Sequence, residues 1–155
     1  MAASDAAIAS NEAQLRALIE EQTRAISARD IEGIMRLYLD DAVIFDAIPP
    51  FRMLKISELR SGWENCFPYM PESFGVEQRE VTIHATAETG FAHWLFRFTG
   101  PAEHPATQNF LRWTACYRKV GGAWGIAHEH ISVPFDPLEV KPILTLEPEK
   151  VGPIM

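Results

Sequence analysis

The sequence predicts an α+β fold in which helices pack on one face of an antiparallel sheet. Three helical patterns lie in the first 70 residues, and four long strand patterns then follow one another with no helix between them. The chain has 155 residues, 47% of them hydrophobic, which is enough for one domain with its own core. There is no internal repeat and no strand–helix alternation of the kind that builds a parallel sheet.

The first helix is predicted from apolar residues at helical spacing. The stripe consists of Leu15, Leu18, Ile19, Gln22, Ala25 and Ile26. Ser10 or Asn11 is expected to cap this helix, and residues 1–9 are expected to be frayed. Gln22 is the polar member of the stripe, so its amide needs a partner, either a ligand or a neighbouring backbone carbonyl.

Two further helices and four strands complete the predicted order. Asp30 is predicted to cap a short second helix, and a third helix is expected from about Ser57 to Phe67. The predicted strands are Val76–Ala87, Thr89–Thr99, Thr107–Lys119 and Ala123–Val133, the last two joined at Gly121-Gly122.

Prolines interrupt the end of the chain at four positions after residue 135. Such spacing excludes a regular helix or a central strand from residues 136–155. Apolar residues lie between the prolines, so this tail is expected to lie extended on the surface of its own chain or of a partner chain. Disorder is the alternative.

Composition excludes several function classes. A net charge of −7 disfavours nucleic-acid binding, which needs clustered Lys and Arg. No segment resembles a secretory signal or a membrane span, and the two cysteines show no metal-binding spacing, so a cytoplasmic protein is expected. There is no glycine-rich phosphate loop, dinucleotide fingerprint or nucleophile signature, so no organic cofactor is implied.

Asp46 is the leading candidate for chemistry. It follows an apolar strand pattern and precedes the turn that Pro49-Pro50 imposes. A carboxylate beside an apolar wall loses hydration, which raises its pKa and makes it a usable acceptor for a proton from carbon. The alternative is an aspartate that accepts a hydrogen bond from its own turn.

The order of these segments resembles a known family. A long helix, a break at Ala28-Arg29-Asp30, a short helix, a strand ending at Asp46 before a proline turn, and a closing hairpin through Trp124–Ser132 resemble the ketosteroid isomerases and SnoaL-like polyketide cyclases of the nuclear transport factor two-like superfamily. The resemblance implies a cone-like domain over residues 10–135 and a homodimer through the open sheet face. It also gives Asp46 the position of the catalytic aspartate.

The resemblance is incomplete at the site. The tyrosine that stabilises the oxyanion in the steroid isomerases maps onto Gln22, and the second donor, an aspartic acid, falls near Thr114 or Ala115. Classical steroid isomerisation is therefore not expected. The same family places the third helix over the mouth of the cone, so Trp63 is predicted to line the pocket, together with Tyr38.

Two strand segments offer further candidates. His128 and His130 share one face of the last strand and are predicted to work with Asp46 as acid or base. Structural histidines, or a metal site completed by His93, are the alternatives, and no metal is expected.

Arg112 and Thr114 alternate with Trp113, so only one of the two faces of this strand meets the pocket. If Arg112 faces inward, it would bind an oxygen of the ligand.

The sequence thus predicts a small-molecule enzyme, of isomerase, cyclase or lyase type, that performs acid–base chemistry on a hydrophobic carbonyl compound. The alternative is a non-catalytic ligand-binding or dimerisation domain of the same fold. The predicted catalytic residues are Asp46, His128 and His130, and the predicted pocket residues are Gln22, Tyr38, Trp63, Arg112 and Thr114.

Overall fold

The protein folds into three helices and a five-stranded sheet, as a computed structural model describes it for residues 4–144. The elements are α1 (Asp5–Ser27), α2 (Ile31–Met35), β1 (Tyr38–Phe45), α3 (Ile56–Cys66), β2 (Gly75–Ala85), β3 (Thr89–Thr99), β4 (Leu111–Val120) and β5 (Ala123–Ser132). Short 3-10 turns lie at Phe67–Tyr69 and Pro105–Thr107, and two short strands, β6 (Phe135–Asp136) and β7 (Lys141–Pro142), follow β5. The predicted α+β fold is confirmed.

The sheet is mixed rather than wholly antiparallel. Its strand order is β1-β5-β4-β3-β2, and the pairs from β2 to β5 are antiparallel hairpin neighbours. β1 pairs with β5 in parallel. The parallel pairing arises because the chain crosses through α3 and three more strands before it returns beside β1, and a crossover allows a parallel pair where a tight hairpin does not.

The helices begin at polar caps. Ser4 caps α1 by accepting a hydrogen bond from the backbone N–H of Ala7 at 3.3 Å, so the helix starts earlier than predicted and residues 5–9 are helical. Asn11 lies buried inside the helix and donates to the carbonyl of Thr86. Asp30 caps α2 as predicted, since its carboxylate accepts from the N–H of Gly33. Among the described residues, no helix combines the length and the apolarity that a membrane span requires.

The core lies between the helices and the inner face of the sheet. Buried residues alternate with exposed ones along β3 and β4, so Trp94 and Trp113 point into the core while His93 and Thr114 lie on the outer face. The two tryptophans stack with ring centroids 5.3 Å apart.

A β-bulge interrupts this alternation in β5. Tyr117 pairs with Ile126, but the preceding residue, Cys116, pairs with His128, so Ala127 is an extra residue in the strand. The extra residue reverses the alternation, with the result that Ile126 and Glu129 both point inward. Each residue of β5 after the bulge therefore lies on the face of the sheet opposite to the one that strict alternation predicts.

The chain folds back on itself after β1. Ile44 and Met53 exchange two backbone hydrogen bonds of 3.0 and 2.9 Å, which close a loop over residues 46–52. This loop begins with Asp46 and contains the cis peptide bond between Pro49 and Pro50. Asp46 is thereby held at the end of β1.

The start of the C-terminal tail also folds back. β6 pairs with β7, and the N–H of Ile143 donates to the carbonyl of Pro134 at 2.8 Å. We call this two-stranded segment, residues 134–144, the C-terminal ribbon. The rest of the tail predicted to be extended, residues 145–155, lies outside the described residues.

Candidate functional site

A cavity of about 440 Å³ opens beside Asp46, between α3, the loop after β1 and the inner face of the sheet. Its wall consists of Asp46, Ala47, Ile48, Pro49, Met53, Leu59, Gly62, Trp63, Cys66, Met70, Phe96, Phe98, Ala106, Asn109, Leu111, Trp113, Ile131, Val133, Pro142 and Leu144. Within the part of the chain that the structure describes, Asp46 is the one charged side chain in this wall. Concave, mainly apolar sites with few polar groups are typical of small-molecule binding.

The Asp46 carboxyl is half-buried and weakly bonded. Its Oδ1 accepts from the backbone N–H of Ile48 at 3.4 Å, so it also closes its own turn. Burial raises the pKa of this carboxyl, and the N–H groups of Ile48 and Ala47 offset part of that rise. Cys66 lines the same cavity, and the Asp46 charge adds to the effect of burial in raising the pKa of its thiol. Asp46 thus accepts a hydrogen bond from its own turn and also lines the cavity, so the two interpretations of this residue are compatible. Its catalytic role stays a prediction.

Trp63 forms the α3 side of the cavity, in a position that agrees with the predicted one. Leu59, Gly62 and Cys66 lie on the same helix face at spacings of three and four residues. The ring of Trp63 packs on Phe67 with centroids 5.2 Å apart. Its indole N–H is buried and has no hydrogen-bond partner among the described residues.

A closed triangle of polar side chains lies in the core. Gln22 on α1 donates through Nε2 to the Tyr38 hydroxyl at 2.9 Å and to Oε1 of Glu129 at 2.6 Å. The Tyr38 hydroxyl donates in turn to Oε2 of Glu129 at 2.6 Å. All three side chains are almost wholly inaccessible to solvent. The triangle ties α1, β1 and β5 together.

Burial dominates the electrostatics of Glu129. Loss of hydration raises its pKa to about 7, although the hydrogen bonds from Tyr38 and Gln22 favour the ionised form. The indole N–H of Trp113 lies near enough to lower this pKa, but its geometry does not make a hydrogen bond. The charge of Asp46 acts in the opposite direction and raises it. Burial and the Glu129 charge also raise the pKa of Tyr38 well above its ordinary value, so its hydroxyl keeps the proton that it donates.

The predicted pocket positions of Gln22 and Tyr38 are corrected by this arrangement. Neither residue belongs to the cavity wall. A buried carboxyl group is costly unless donors satisfy it, and both side chains serve Glu129 in that way. Within residues 4–144, Gln22 donates to these two side chains and not to a backbone carbonyl, which is the other prediction.

Arg112 and Thr114 are likewise not part of the cavity. β4 turns Trp113 inward, so its two neighbours are exposed on the outer face of the sheet. The Arg112 guanidinium donates to the carbonyl of Val133 at 2.9 Å. Thr114 lies between His93 and His130 across the strands. Because Trp113 faces the cavity and Arg112 does not, this side of the cavity is apolar.

The two histidines of β5 are also on the outer face, because the bulge reverses the strand. Nδ1 of His128 lies 2.7 Å from the carbonyl of Val43, and its ring packs edge-on against Phe45. His130 is exposed and lines an outer depression together with Asp46, and this depression adjoins the cavity at residues 46–49. The two histidines therefore do not line the cavity. Their role as acid or base partners of Asp46 stays a prediction. Within residues 4–144, no three His, Cys, Asp or Glu side chains are placed to hold a metal ion.

Sequence reasoning missed two parts of this region. Glu129 was overlooked because two histidines flank it, and no sequence signal marks the bulge that turns it inward. The C-terminal ribbon was expected on a surface, yet Pro142 and Leu144 form part of the cavity wall. The apolar residues between the tail prolines were the signal that could have indicated such packing.

Comparison with known proteins places the chain in a family. The model of the SnoaL-like domain matches residues 15–136. A crystal structure of an NTF2-like protein of unknown function from Pseudomonas putida is 37% identical, with a TM-score of 0.84 over 90% of this chain and 98% of that one. None of the curated proteins matches the chain.

More distant structures share the fold. A ketosteroid isomerase-like protein from Erwinia carotovora atroseptica is 22% identical over 78% of this chain and 94% of its own, with a TM-score of 0.64. A proposed dehydratase of the NTF2-like family from Streptomyces avermitilis is 14% identical over 88% and 98%, with a TM-score of 0.70. At these identities the likeness extends to the fold alone.

Proposed function

We propose that this chain, which belongs to the SnoaL-like domain family, is a small-molecule enzyme that binds a hydrophobic carbonyl compound in its cavity and moves a proton with Asp46. The observation that carries the proposal is the composition of the cavity wall. One carboxyl group, half-buried and with a raised pKa, stands among apolar and aromatic side chains. Raised basicity in an apolar site is what proton abstraction from carbon requires.

In the proposed reaction, the ionised Asp46 takes a proton from the carbon next to the carbonyl group. The electrons of the broken C–H bond form a C=C bond, and the carbonyl oxygen becomes an enolate oxygen. The protonated Asp46 then returns the proton to the same carbon or to another one along the conjugated system. No oxidant, reductant or cofactor enters this balance. The apolar wall would keep water from competing with Asp46.

Proton exchange in heavy water tests the role of Asp46. The protein is incubated with hydrophobic ketones in D₂O, 2-tetralone among them, and loss of the α-proton signals is followed by NMR. We expect the wild type to accelerate exchange. Asp46→Asn should lose about 10²- to 10⁴-fold of that acceleration, because Asn keeps the shape of the side chain but cannot accept the proton.

Asp40→Asn is the matched control. Asp40 lies on β1, the strand that Asp46 follows, is exposed, and is not part of the cavity wall. This variant should exchange the ketone at the wild-type rate. Equal exchange by wild type and Asp46→Asn would contradict the proposed role of Asp46, whichever ketone is used.

A second candidate is a ligand-binding domain without catalysis. It is favoured by the triangle around Glu129, since both Gln22 and Tyr38 already donate to that carboxyl and neither is left to stabilise an oxyanion. This candidate predicts that a ketone binds equally well to wild type and Asp46→Asn and that neither accelerates exchange. Calorimetry on the two proteins, run beside the exchange experiment, separates the two functions.

The homodimer that the family resemblance implied stays a prediction. Phe45 and Phe91 on the outer face of the sheet are 39% and 46% exposed, an arrangement that a second copy of the chain could cover. Sedimentation velocity of the purified protein measures its mass in solution. A monomer at micromolar concentration would contradict the prediction.

A further inference from the structure

Three arginines lie on neighbouring strands of the outer face of the sheet. Arg79 on β2 and Arg112 on β4 are the two cross-strand partners of Leu95 on β3, and Arg97 lies two residues further along β3. Arg79 and Arg97 share one acid, since the Nε atom of each donates to Glu77 at 2.7 Å. We call the three arginines and Glu77 the arginine strip. Its formal charge is positive, three arginines against one glutamate, in a chain whose net charge is −7.

The guanidinium groups of the strip are held in place by the fold. Those of Arg79 and Arg97 lie over the Phe110 ring, 4.6 and 4.7 Å from its centre, and the two side chains are 32% and 30% exposed. Arg112 donates to the carbonyl of Val133 at 2.9 Å. Guanidinium groups that are already positioned lose little conformational freedom when a carboxylate binds. The strip is therefore suited to bind a segment that carries acidic side chains.

The C-terminal ribbon ends beside this strip. The N–H of Ile143 donates to the carbonyl of Pro134, and the preceding carbonyl, that of Val133, accepts from Arg112. The chain beyond the ribbon therefore starts next to the Arg112 end of the strip. Arg79 lies two strands away from Arg112, about 10 Å, and five extended residues span about 16 Å. Residues 145–149 are thus long enough to cross the whole strip.

The sequence after the ribbon supplies the opposite charge. Glu147 and Glu149 lie on either side of Pro148. A proline favours extended backbone at the residue before it, and in an extended segment side chains two positions apart point to the same side. Both carboxylates can therefore face the strip together, and arginine binds carboxylates through two parallel hydrogen bonds.

We propose that residues 145–149 lie across the arginine strip of their own chain and bind it through the two glutamates. Their own chain is favoured over a second copy because the ribbon already ends beside Arg112, so only a short segment has to be ordered. The contact fastens the C-terminal ribbon, whose residues Pro142 and Leu144 form part of the cavity wall. The inference goes beyond the proposed function, because it concerns what holds this side of the cavity closed, whether or not a reaction occurs there.

Backbone ¹⁵N relaxation of the full chain tests the contact. At low ionic strength, the amides of residues 145–149 should have order parameters of about 0.85, the value of rigid backbone. The double variant Glu147→Gln/Glu149→Gln should lower them below about 0.6, because glutamine keeps the size of the side chain and removes its charge. Lys150→Gln is the matched control, since it removes a charge of the same segment that the strip does not attract, and it should behave as wild type does.

The strip is tested from its other side by Arg112→Gln, which should also lower the order parameters of residues 145–149. Its control is Arg16→Gln, because Arg16 is exposed on α1 and does not belong to the strip. The Ile143 amide reports on the ribbon itself, since its N–H donates to Pro134. Its hydrogen exchange should be about three- to tenfold faster in the double variant than in wild type.

Three results would overturn the inference. The first is a set of wild-type order parameters below about 0.6 for residues 145–149, which would mean that they bind nothing. The second is unchanged order parameters in the double variant or in Arg112→Gln, which would mean that another surface holds the segment. The third is loss of order on dilution, together with contacts between ¹⁵N-labelled and ¹³C-labelled chains in a mixed sample, which would place the segment on a second copy.

Discussion

The end of β1 and the centre of β5 each place an acid away from water in the same domain, half-buried at Asp46 and fully buried at Glu129, and the two sites differ in what surrounds the carboxyl group. Asp46 accepts one long hydrogen bond, 3.4 Å, from its own turn and borders a cavity. Glu129 accepts two hydrogen bonds of 2.6 Å from side chains on other elements and is not part of that cavity wall. Burial raises the pKa of both groups. A raised pKa therefore does not identify a catalytic acid or base, and access to a bound molecule has to be shown separately.

The difference predicts opposite consequences of mutation. Glu129 satisfies two buried donors, so its loss should affect stability above all. Asp46 satisfies one backbone N–H at a partly exposed position, so its loss should affect the chemistry of the cavity and little else. Three measurements test this division.

The largest effect is expected from Glu129→Ala. The change leaves the Gln22 amide and the Tyr38 hydroxyl without their acceptor and creates a void, so the free energy of unfolding should fall by about 2–4 kcal/mol. For a chain of this size, the melting temperature should fall by roughly 5–15 °C. Thermal unfolding followed by circular dichroism measures it.

Glu20→Gln is the matched control on stability, because Glu20 is exposed on α1 and its change should be nearly neutral. A Glu129→Ala protein as stable as this control would show that the triangle contributes nothing to the fold.

The pH dependence of stability should carry a smaller signature of Glu129. Its pKa rises from 4.5 to about 7 on folding, so the folded state binds the proton more tightly than the unfolded state. The stabilising contribution is complete below pH 4.5 and is lost as the pH rises through about 7. Relative to Glu129→Gln, the wild type should therefore lose about 2–3 kcal/mol of stability between pH 5 and pH 8.

Urea unfolding of the two proteins at several pH values gives this difference directly. The histidines titrate in both proteins, so their effect cancels in the comparison. A difference between the two proteins that does not change with pH would mean that Glu129 has the same pKa in the folded and unfolded chain.

The smallest effect is expected for the stability of Asp46→Asn. Burial raises the pKa of Asp46, so folding disfavours its ionised form. The protonated form therefore stabilises the folded state, and this contribution is lost as the pH rises through the pKa of the folded protein. Removing the charge at pH 7 should change the free energy of unfolding by less than about 1 kcal/mol. A loss as large as that of Glu129→Ala would place Asp46 among the structural acids.

Local signals in the sequence predicted much of the fold. The α1 stripe, the Asp30 cap and the strand that ends at Asp46 before Pro49-Pro50 each depend on neighbouring residues, and each appears in the structure. The turn at Gly121-Gly122 is also present, with both glycines at positive φ, as a two-residue hairpin turn requires.

The inner face of the sheet was harder to predict. Whether Arg112 or Trp113 faces inward depends on how β4 packs, and both alternations are compatible with the sequence. Ala127 is a small residue that looks like any other strand residue, yet as the extra residue of the bulge it exchanges His128 and Glu129 between the two faces. The buried position of Glu129 could not be predicted because it depends on this one extra residue, Ala127.

The parallel pairing of β1 with β5 determines when the cavity can exist during synthesis of the chain. The carbonyl of Val43 meets His128, which lies 85 residues later. β1 emerges from the ribosome early and has no partner strand in the main sheet until almost the whole domain has been translated. Contacts so distant in sequence slow folding. The cavity beside Asp46 is therefore not complete until β5, which contributes Ile131 to its wall, has been synthesised.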